Sequence, residues 1–402
     1  MYKPLSGYKV VELGTHVAVP IAGRMLADWG AEVIKAEPLK GEPWRTVGDS
    51  YGVTCTPEHN PLFENMNMNK QDIALDLKSK EGHKAMLELL NDADIFITNT
   101  RMSALEHLGL DYESLKEKFP KLIYGHLSGF GLKGPECQRP GYDIAAFWAR
   151  GGMPIEWIRK GHPPFRPQAG FGDTITGSLL LNGILSALLG REKSGKGDFI
   201  EISLFGSALW CNSVGIISSQ PKYGLSFPRG KDDYVTPYSY LYQTKDGDWF
   251  MWSLPDWDKR YKELLSALSL DSYINDPRFT SLSQVNKYVP ELIDIFEERF
   301  SQMSTKEVTA VLNAGDFVYE FFKNTCDVIN DTQAWANAYL EKISLKDGDT
   351  DIFPANPVHF SSFIPDTELS PDLGQNSRDI MRSLGYSDKQ IDELSALGII
   401  KE

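Results

Sequence analysis

The first half of the chain alternates between two hydrophobic periods, and this alternation restricts the fold more than any other feature. Residues 8–13 read as a short buried strand. A loop containing Gly14, Thr15 and His16 follows. Residues 20–29 then read as a helix, with Pro20 in the first turn, where its missing N–H is no loss. Further strands are expected over residues 31–37, 72–76, 94–98 and 121–127, with an amphipathic helix over 79–91. Repetition of this kind builds an α/β fold, a mostly parallel sheet covered by helices. Ligands of such sheets sit beyond the carboxyl ends of the strands.

Over residues 139–171 the pattern weakens into Gly, Pro and aromatic residues. A long apolar helix is expected over 173–189, a charged turn over 190–197 and another strand over 198–204. After residue 218 the character changes. Residues 220–237 are rich in Pro, Gly and charge, as a linker would be. Strands over 237–254, turning at Asp246-Gly247, and helices over 257–268, 289–301 and 304–314 predict a smaller α+β domain. Two short helices around Gly385 close the chain. At 402 residues, it exceeds what one hydrophobic core usually serves.

The formal net charge is -14, which argues against nucleic acid as a partner, since that would require a basic face. Local basic pockets remain compatible with it. Cys55, Cys137, Cys211 and Cys326 form no CxxC pair, and such sparse usage fits a reducing cytosol. Residues 1–8 carry no signal pattern. The most apolar stretch, 178–190, is too short to span a bilayer and is interrupted by Asn182 and Gly183. A soluble cytoplasmic protein with no membrane partner is expected. No HxH, HExxH or paired-carboxylate spacing supports a metal, and no GxSxG elbow supports a serine hydrolase.

Asp173 follows the glycine-rich approach Ala169-Gly170-Phe171-Gly172 and opens the long helix. Two readings share that geometry. Asp is a favoured N-cap residue, and capping is the commoner role. A carboxylate there could also attack an acyl carbon, beside amides able to stabilise the developing anion. The loop Gly125-His126-Leu127-Ser128-Gly129-Phe130-Gly131-Leu132-Lys133-Gly134-Pro135 is either a cradle for a diphosphate or pantetheine, with Lys133 near the phosphates, or a wide turn. It is not the GxGxxG fingerprint of a nicotinamide site. Asn99 and Arg101 lie at the end of the fourth strand, where Arg101 is either a phosphate partner or a solvated loop residue. His16 reads first as a structural loop histidine. Asp143 is either a second active-site carboxylate or the cap of residues 144–149.

Taken in order, several segments resemble the family III CoA-transferases. They are Leu5-Ser6-Gly7-Tyr8-Lys9-Val10-Val11-Glu12-Leu13, Leu26-Ala27-Asp28-Trp29-Gly30-Ala31-Glu32-Val33-Ile34-Lys35-Ala36-Glu37, Asn67-Met68-Asn69-Lys70, Ser128-Gly129-Phe130-Gly131, Gly172-Asp173 with Gly177, and Asn376-Ser377-Arg378-Asp379. The resemblance covers nearly the whole chain. It implies a Rossmann-like large domain made of residues 1–218 and 330–402, with linkers and a small α+β domain in 219–329. It also implies an interlocked homodimer whose chains cross near 220–237 and 325–335. Asp173 falls on the family's nucleophile, which passes through an aspartyl anhydride and an aspartyl-CoA thioester. His16, Val17 and Ala18 fall on the first CoA-binding loop, Asn99 and Arg101 on the adenine-side loop, and Lys133 on the glycine loop. Some members carry an arginine where His107 stands. No cofactor is implied, since coenzyme A is itself a substrate, and the small-molecule partners are an acyl-CoA and a carboxylate.

The related racemases carry a histidine where Tyr142 stands, and a phenol is a poorer base than an imidazole at neutral pH. An α-methylacyl-CoA racemase-like isomerase and a non-catalytic acyl-CoA binding protein are therefore the alternatives. Phe147-Trp148-Ala149-Arg150-Gly151-Gly152 and Gln333-Ala334-Trp335-Ala336-Asn337 resemble the branch from amino-acid-fermenting anaerobes. That branch implies an (R)-2-hydroxy acid acceptor, with Trp148, Met153 and Trp157 as candidate pocket walls.

Overall fold

The computed structural model describes residues 3–56, 59–225, 227–346 and 348–402. The chain forms two compact units, one of Met1–Met153, Arg166–Ser213 and Thr332–Glu402, the other of Pro154–Phe165 and Val214–Asp331. Residues 154–165, which the sequence reading put with the larger domain, belong to the smaller unit, where the Lys160 N–H donates to the Arg229 carbonyl at 2.9 Å.

The larger unit is built on seven strands. Six are parallel: β1 (Lys9–Leu13), β2 (Glu32–Glu37), β3 (Gln71–Leu75), β4 (Ile95–Thr98), β5 (Ile123–Ser128) and β6 (Phe199–Ser203). The short strand Ile400–Lys401 adds antiparallel to β3, giving the order Ile400–Lys401, β3, β2, β1, β4, β5, β6. The sequence direction of the order reverses between β1 and β4. In open α/β sheets that reversal opens a crevice beyond the strand ends.

Successive β1 side chains feed opposite cores, as strand geometry requires. Val10 joins Ile95 and Ile97 beneath two helices, α1 (Ala18–Asp28) and, after α2 (Lys80–Asn91) and α3 (Met102–Leu108), the long α4 (Phe171–Ser194). Val11 joins Ile34 and Phe96 beneath α2, whose Ala85, Met86, Leu89 and Leu90 form the apolar stripe. Ser79 starts α2 by accepting the Gly82 N–H at 2.9 Å. The sheet is buried on both sides, which is why its strands read as continuous apolar runs.

α4 is longer than the apolar stretch suggested, 24 residues or roughly 36 Å. By length and composition it could cross a membrane. It is nevertheless a core helix. Leu180, Leu181, Ile184 and Leu188 are buried against the sheet, each contributing about 1.5–3 kcal/mol. α1 and α4 cross closely because Gly177 faces the Ala18 carbonyl, and any added Cβ would collide with it. α5 (Leu204–Cys211) follows β6 directly, capped by Ser203 on the Gly206 N–H at 3.0 Å.

The smaller unit has an antiparallel sheet of Tyr242–Gln243, Trp249–Ser253 and Val318–Phe321. The helices Trp257–Ala267, Val289–Ser301 and Thr305–Ala314 cover it. Its core is aromatic, with Phe250 and Phe300 edge to face at 4.9 Å.

Candidate active site

The loop leaving β1 enters α1 through an uncommon backbone. His16 has φ 65, a left-handed conformation that costs a residue with a Cβ about 1 kcal/mol or more. Its surroundings hold it there. The His16 N–H donates to Glu42 Oε2 at 2.7 Å, and the ring lies 5.3 Å from Tyr142 and 5.8 Å from Trp44, centre to centre. Burial holds the imidazole below its ordinary pKa against the opposing pull of Glu42.

Glu42 belongs to a buried charge cluster under this loop. Lys35 Nζ lies 3.1 Å from Glu42 Oε1 and donates to Glu12 Oε1 at 3.0 Å and the Gly14 carbonyl at 2.9 Å. Lys70 Nζ donates to Glu12 Oε2 and the Pro20 carbonyl, both at 2.8 Å, and to Asn67 Oδ1 at 2.9 Å. Burial pushes Lys70 down to about 8 even with Glu12 opposing it. Across the strand-order reversal, Asn99 receives the Thr15 N–H at 3.0 Å and donates to the Thr15 carbonyl at 2.9 Å. This two-way bond ties the end of β1 to the end of β4.

A cavity of about 240 Å³ opens at that point. His16, Ala18, Asn99, Arg101 and Asp173 all line it, so five of the sequence-derived candidates converge on one space. Arg101 is exposed at the start of α3. The remaining candidates fall outside the lining. Val17 turns into a small core with Trp44 and Phe63. His107 is exposed on the last turn of α3, and Lys133 is exposed next to the lining residue Leu132. Asp143 is buried behind the wall. Of the proposed pocket walls, Trp148 and Met153 are core residues, and Trp157, in the smaller unit, is 60% exposed.

Asp173 does not cap its helix. The N-cap is Gly170, with φ 85, and Asp173 sits in the first turn. Its carboxyl is pushed up to about 7, first by burial and then by the charge of Asp143. Asp143 does not cap residues 144–149 either, because Tyr142 holds that position ahead of a π-helical turn, Asp143–Ala149. Instead, Asp143 Oδ2 accepts the Gly170 N–H at 2.8 Å. Burial raises the Asp143 carboxyl, and the backbone N–H groups of Gly170, Gly172 and Asp173 pull it back.

Arg139, which the sequence did not mark, also lines the cavity, together with His126 of the glycine loop and Tyr142 at the racemase-histidine position, neither of which had been put forward as a site residue. His126 is buried on β5, and one ring nitrogen lies 3.0 Å from the Thr100 carbonyl. The Arg139 guanidinium lies over the Phe130 ring at 5.1 Å and pairs with Glu136 at 3.1 Å. Arg139 stands in the stretch where periodicity fails, so no pattern marked it. Arg101 and Arg139 give the cavity cationic groups in an acidic protein, and Asp173 places one carboxylate among them. That set can receive a polyanionic ligand and present an oxygen nucleophile to it. Among the described residues no cluster of His, Cys, Asp and Glu could hold a metal ion.

The model of CoA-transferase family III matches residues 5–377. The chain is 34% identical over 398 residues to an (R)-2-hydroxy-4-methylpentanoate CoA-transferase of Clostridioides difficile, covering 99% of both chains. It is 35% identical over 392 residues to a cinnamoyl-CoA:phenyllactate CoA-transferase of Clostridium sporogenes, covering 97% of this chain and 95% of that one. Among solved structures, a CAIB/BAIF family protein from Brucella suis superposes with a TM-score of 0.78 at 29% identity, covering 96% of this chain and 100% of that one.

Proposed function

The chain belongs to CoA-transferase family III, enzymes that transfer CoA between acids, and from that premise we propose that Asp173 is its covalent nucleophile and a 2-hydroxy acid its acceptor. The observation that carries the reading is the Asp173 carboxylate in the wall of the cavity at the strand-order reversal. The two relatives described above support the acceptor class, since both are named for 2-hydroxy acids.

The chemistry balances without ATP. The Asp173 carboxylate attacks the thioester carbonyl of the donor; a C–O bond forms, the C–S bond breaks, and CoA leaves as thiolate. The thiolate attacks the aspartyl carbonyl of the mixed anhydride and releases the donor acid. The acceptor carboxylate then displaces the thiolate from the aspartyl-CoA thioester, forming a second anhydride. Attack of the thiolate on the acceptor carbonyl gives the new acyl-CoA and returns Asp173. One thioester replaces another, so the overall driving force is small. His16, Ala18, Asn99 and Arg101 line the path of the CoA moiety, with Arg101 and Arg139 toward its phosphates. Lys133 and His107, exposed nearby in sequence, are assigned to the outer part of that path. Val17 and Asp143 serve from behind the wall.

The protein is taken to act as a homodimer in the cytoplasm, with the interlocked arrangement of its family. The exposed Leu189 of α4 and Leu209 and Trp210 of α5 support a partner on that side of the larger unit. Tyr142 stands where racemases carry their histidine, which supports transfer over α-proton exchange.

The test is a panel of donors, including cinnamoyl-CoA and acetyl-CoA, offered with (R)- and (S)-2-hydroxy-4-methylpentanoate and phenyllactate in deuterated water. The reading expects CoA transfer to one enantiomer and no deuterium at the α-carbon. Deuterium incorporation without transfer would replace it with an isomerase.

A further inference from the structure

Helix α4 starts without a side-chain cap of its own, because its N-cap is Gly170. The first N–H groups of a helix have no partner within it and must find one elsewhere. Here the partner comes from 27 residues earlier in the chain, where Asp143 Oδ2 accepts the Gly170 N–H at 2.8 Å. Asp143 is only 4% exposed, and it opens a π-helical turn whose Ala146, Phe147 and Trp148 are core residues. The acceptor is therefore anchored on packed structure and not on a loose loop. The fit is close: a Cβ on Gly172 would collide with Asp143 Oδ1 and with the Phe147 ring. Asp143 is not among the residues that line the cavity.

Resting on the reading of Asp173 as nucleophile, we propose that Asp143 is a positioning residue, a cap supplied from a distant turn that fixes the first turn of α4 and so holds the Asp173 carboxylate in the cavity. The chemical step requires the attacking oxygen in line with the thioester carbonyl. A displacement of about 1 Å can cost on the order of 100-fold in rate while leaving substrate binding intact. Removing the acceptor frees the Gly170 N–H and the turn behind it. On the CoA path, His16 and Asn99 are held by other bonds, to Glu42 and to Thr15.

The test compares full-length wild type, Asp143→Ala and Asp143→Asn. The readouts are single-turnover formation of the covalent Asp173 adduct with the best donor of the panel above, kcat and KM for that donor, and thermal melts. Asp143→Ala is expected to slow adduct formation on the order of 100-fold with the donor KM within about threefold. Asp143→Asn keeps an oxygen for the Gly170 N–H and is expected to recover about tenfold of the loss. A folded Asp143→Ala that forms the adduct at the wild-type rate would overturn the proposal, as would a loss carried by KM or an Asn variant no faster than Ala. Absence of any adduct in wild type would instead overturn the assignment of Asp173, and the proposal with it.

Discussion

Asp143 and Asp173 are two carboxylates at one end of the same helix in different surroundings. Asp143 is buried and bonded to the Gly170 N–H at 2.8 Å; Asp173 lines the cavity, and its carboxyl is pushed up to about 7 by burial and by the neighbouring Asp143 charge. A raised carboxyl is a more basic, and so more nucleophilic, oxygen once ionised.

The first consequence concerns pH and rate. Asp173 must be ionised to attack, so adduct formation should rise with pH and level off above about 7. Asp143→Asn removes one of the two causes of the rise, so its acid limb should move to lower pH. Burial remains, so the limb should stay above that of a free carboxyl. Stopped-quench rates from about pH 5 to about pH 9 measure both limbs. A flat wild-type profile would contradict the assignment.

Stability should change with pH in the opposite sense. The folded pKa of Asp173 lies above the ordinary 3.8, so the folded state holds its proton where the unfolded chain has lost it. That contribution is present below about 4 and is lost as pH rises through about 7. Asp173→Asn cannot ionise. Its Tm relative to wild type should therefore climb as pH is raised through this window, which calorimetry across the window would record. A constant difference would mean that the carboxyl is not perturbed.

Glu12 is the shared acceptor of two buried lysines, Lys35 at 3.0 Å and Lys70 at 2.8 Å. Removing one partner of a buried ion pair typically costs about 3–5 kcal/mol, because the other charge stays buried. Lys35 keeps Glu42, whereas Lys70 loses its carboxylate partner. Glu12→Gln should lower the urea midpoint accordingly. It should also weaken CoA binding, since Lys35 holds both Glu42 and the Gly14 carbonyl beneath the His16 loop. An unchanged midpoint would show that the cluster is not an energetic keystone.

Much of the larger unit was legible because its strands are buried on both faces and write continuous apolar runs, and because Ser79 and the stripe Ala85, Met86, Leu89 and Leu90 mark α2 locally. The two-residue strand Ile400–Lys401 was not legible, because its pairing with β3 rests on tertiary contact and not on a period. The start of α4 was misplaced for a related reason. Asp is a good local cap, so Asp173 looked like the first residue, but the acceptor is Asp143 and the helix begins earlier, at Phe171. One of the amides expected to face a ligand there, that of Gly170, is instead bonded to Asp143. In the site, residues attached to strand ends could be found from the strands. Arg139, on irregular backbone, could not, whereas His126 and Tyr142 were marked only by the glycine loop and by the resemblance, without a role in the lining.

The most direct measurement is intact-protein mass spectrometry of the wild type mixed with the donor panel and trapped with hydroxylamine or borohydride, followed by peptide mapping. The account predicts a modification on Asp173 that is absent from Asp173→Ala. A modification on another residue, or transfer activity undiminished in Asp173→Ala, would contradict it.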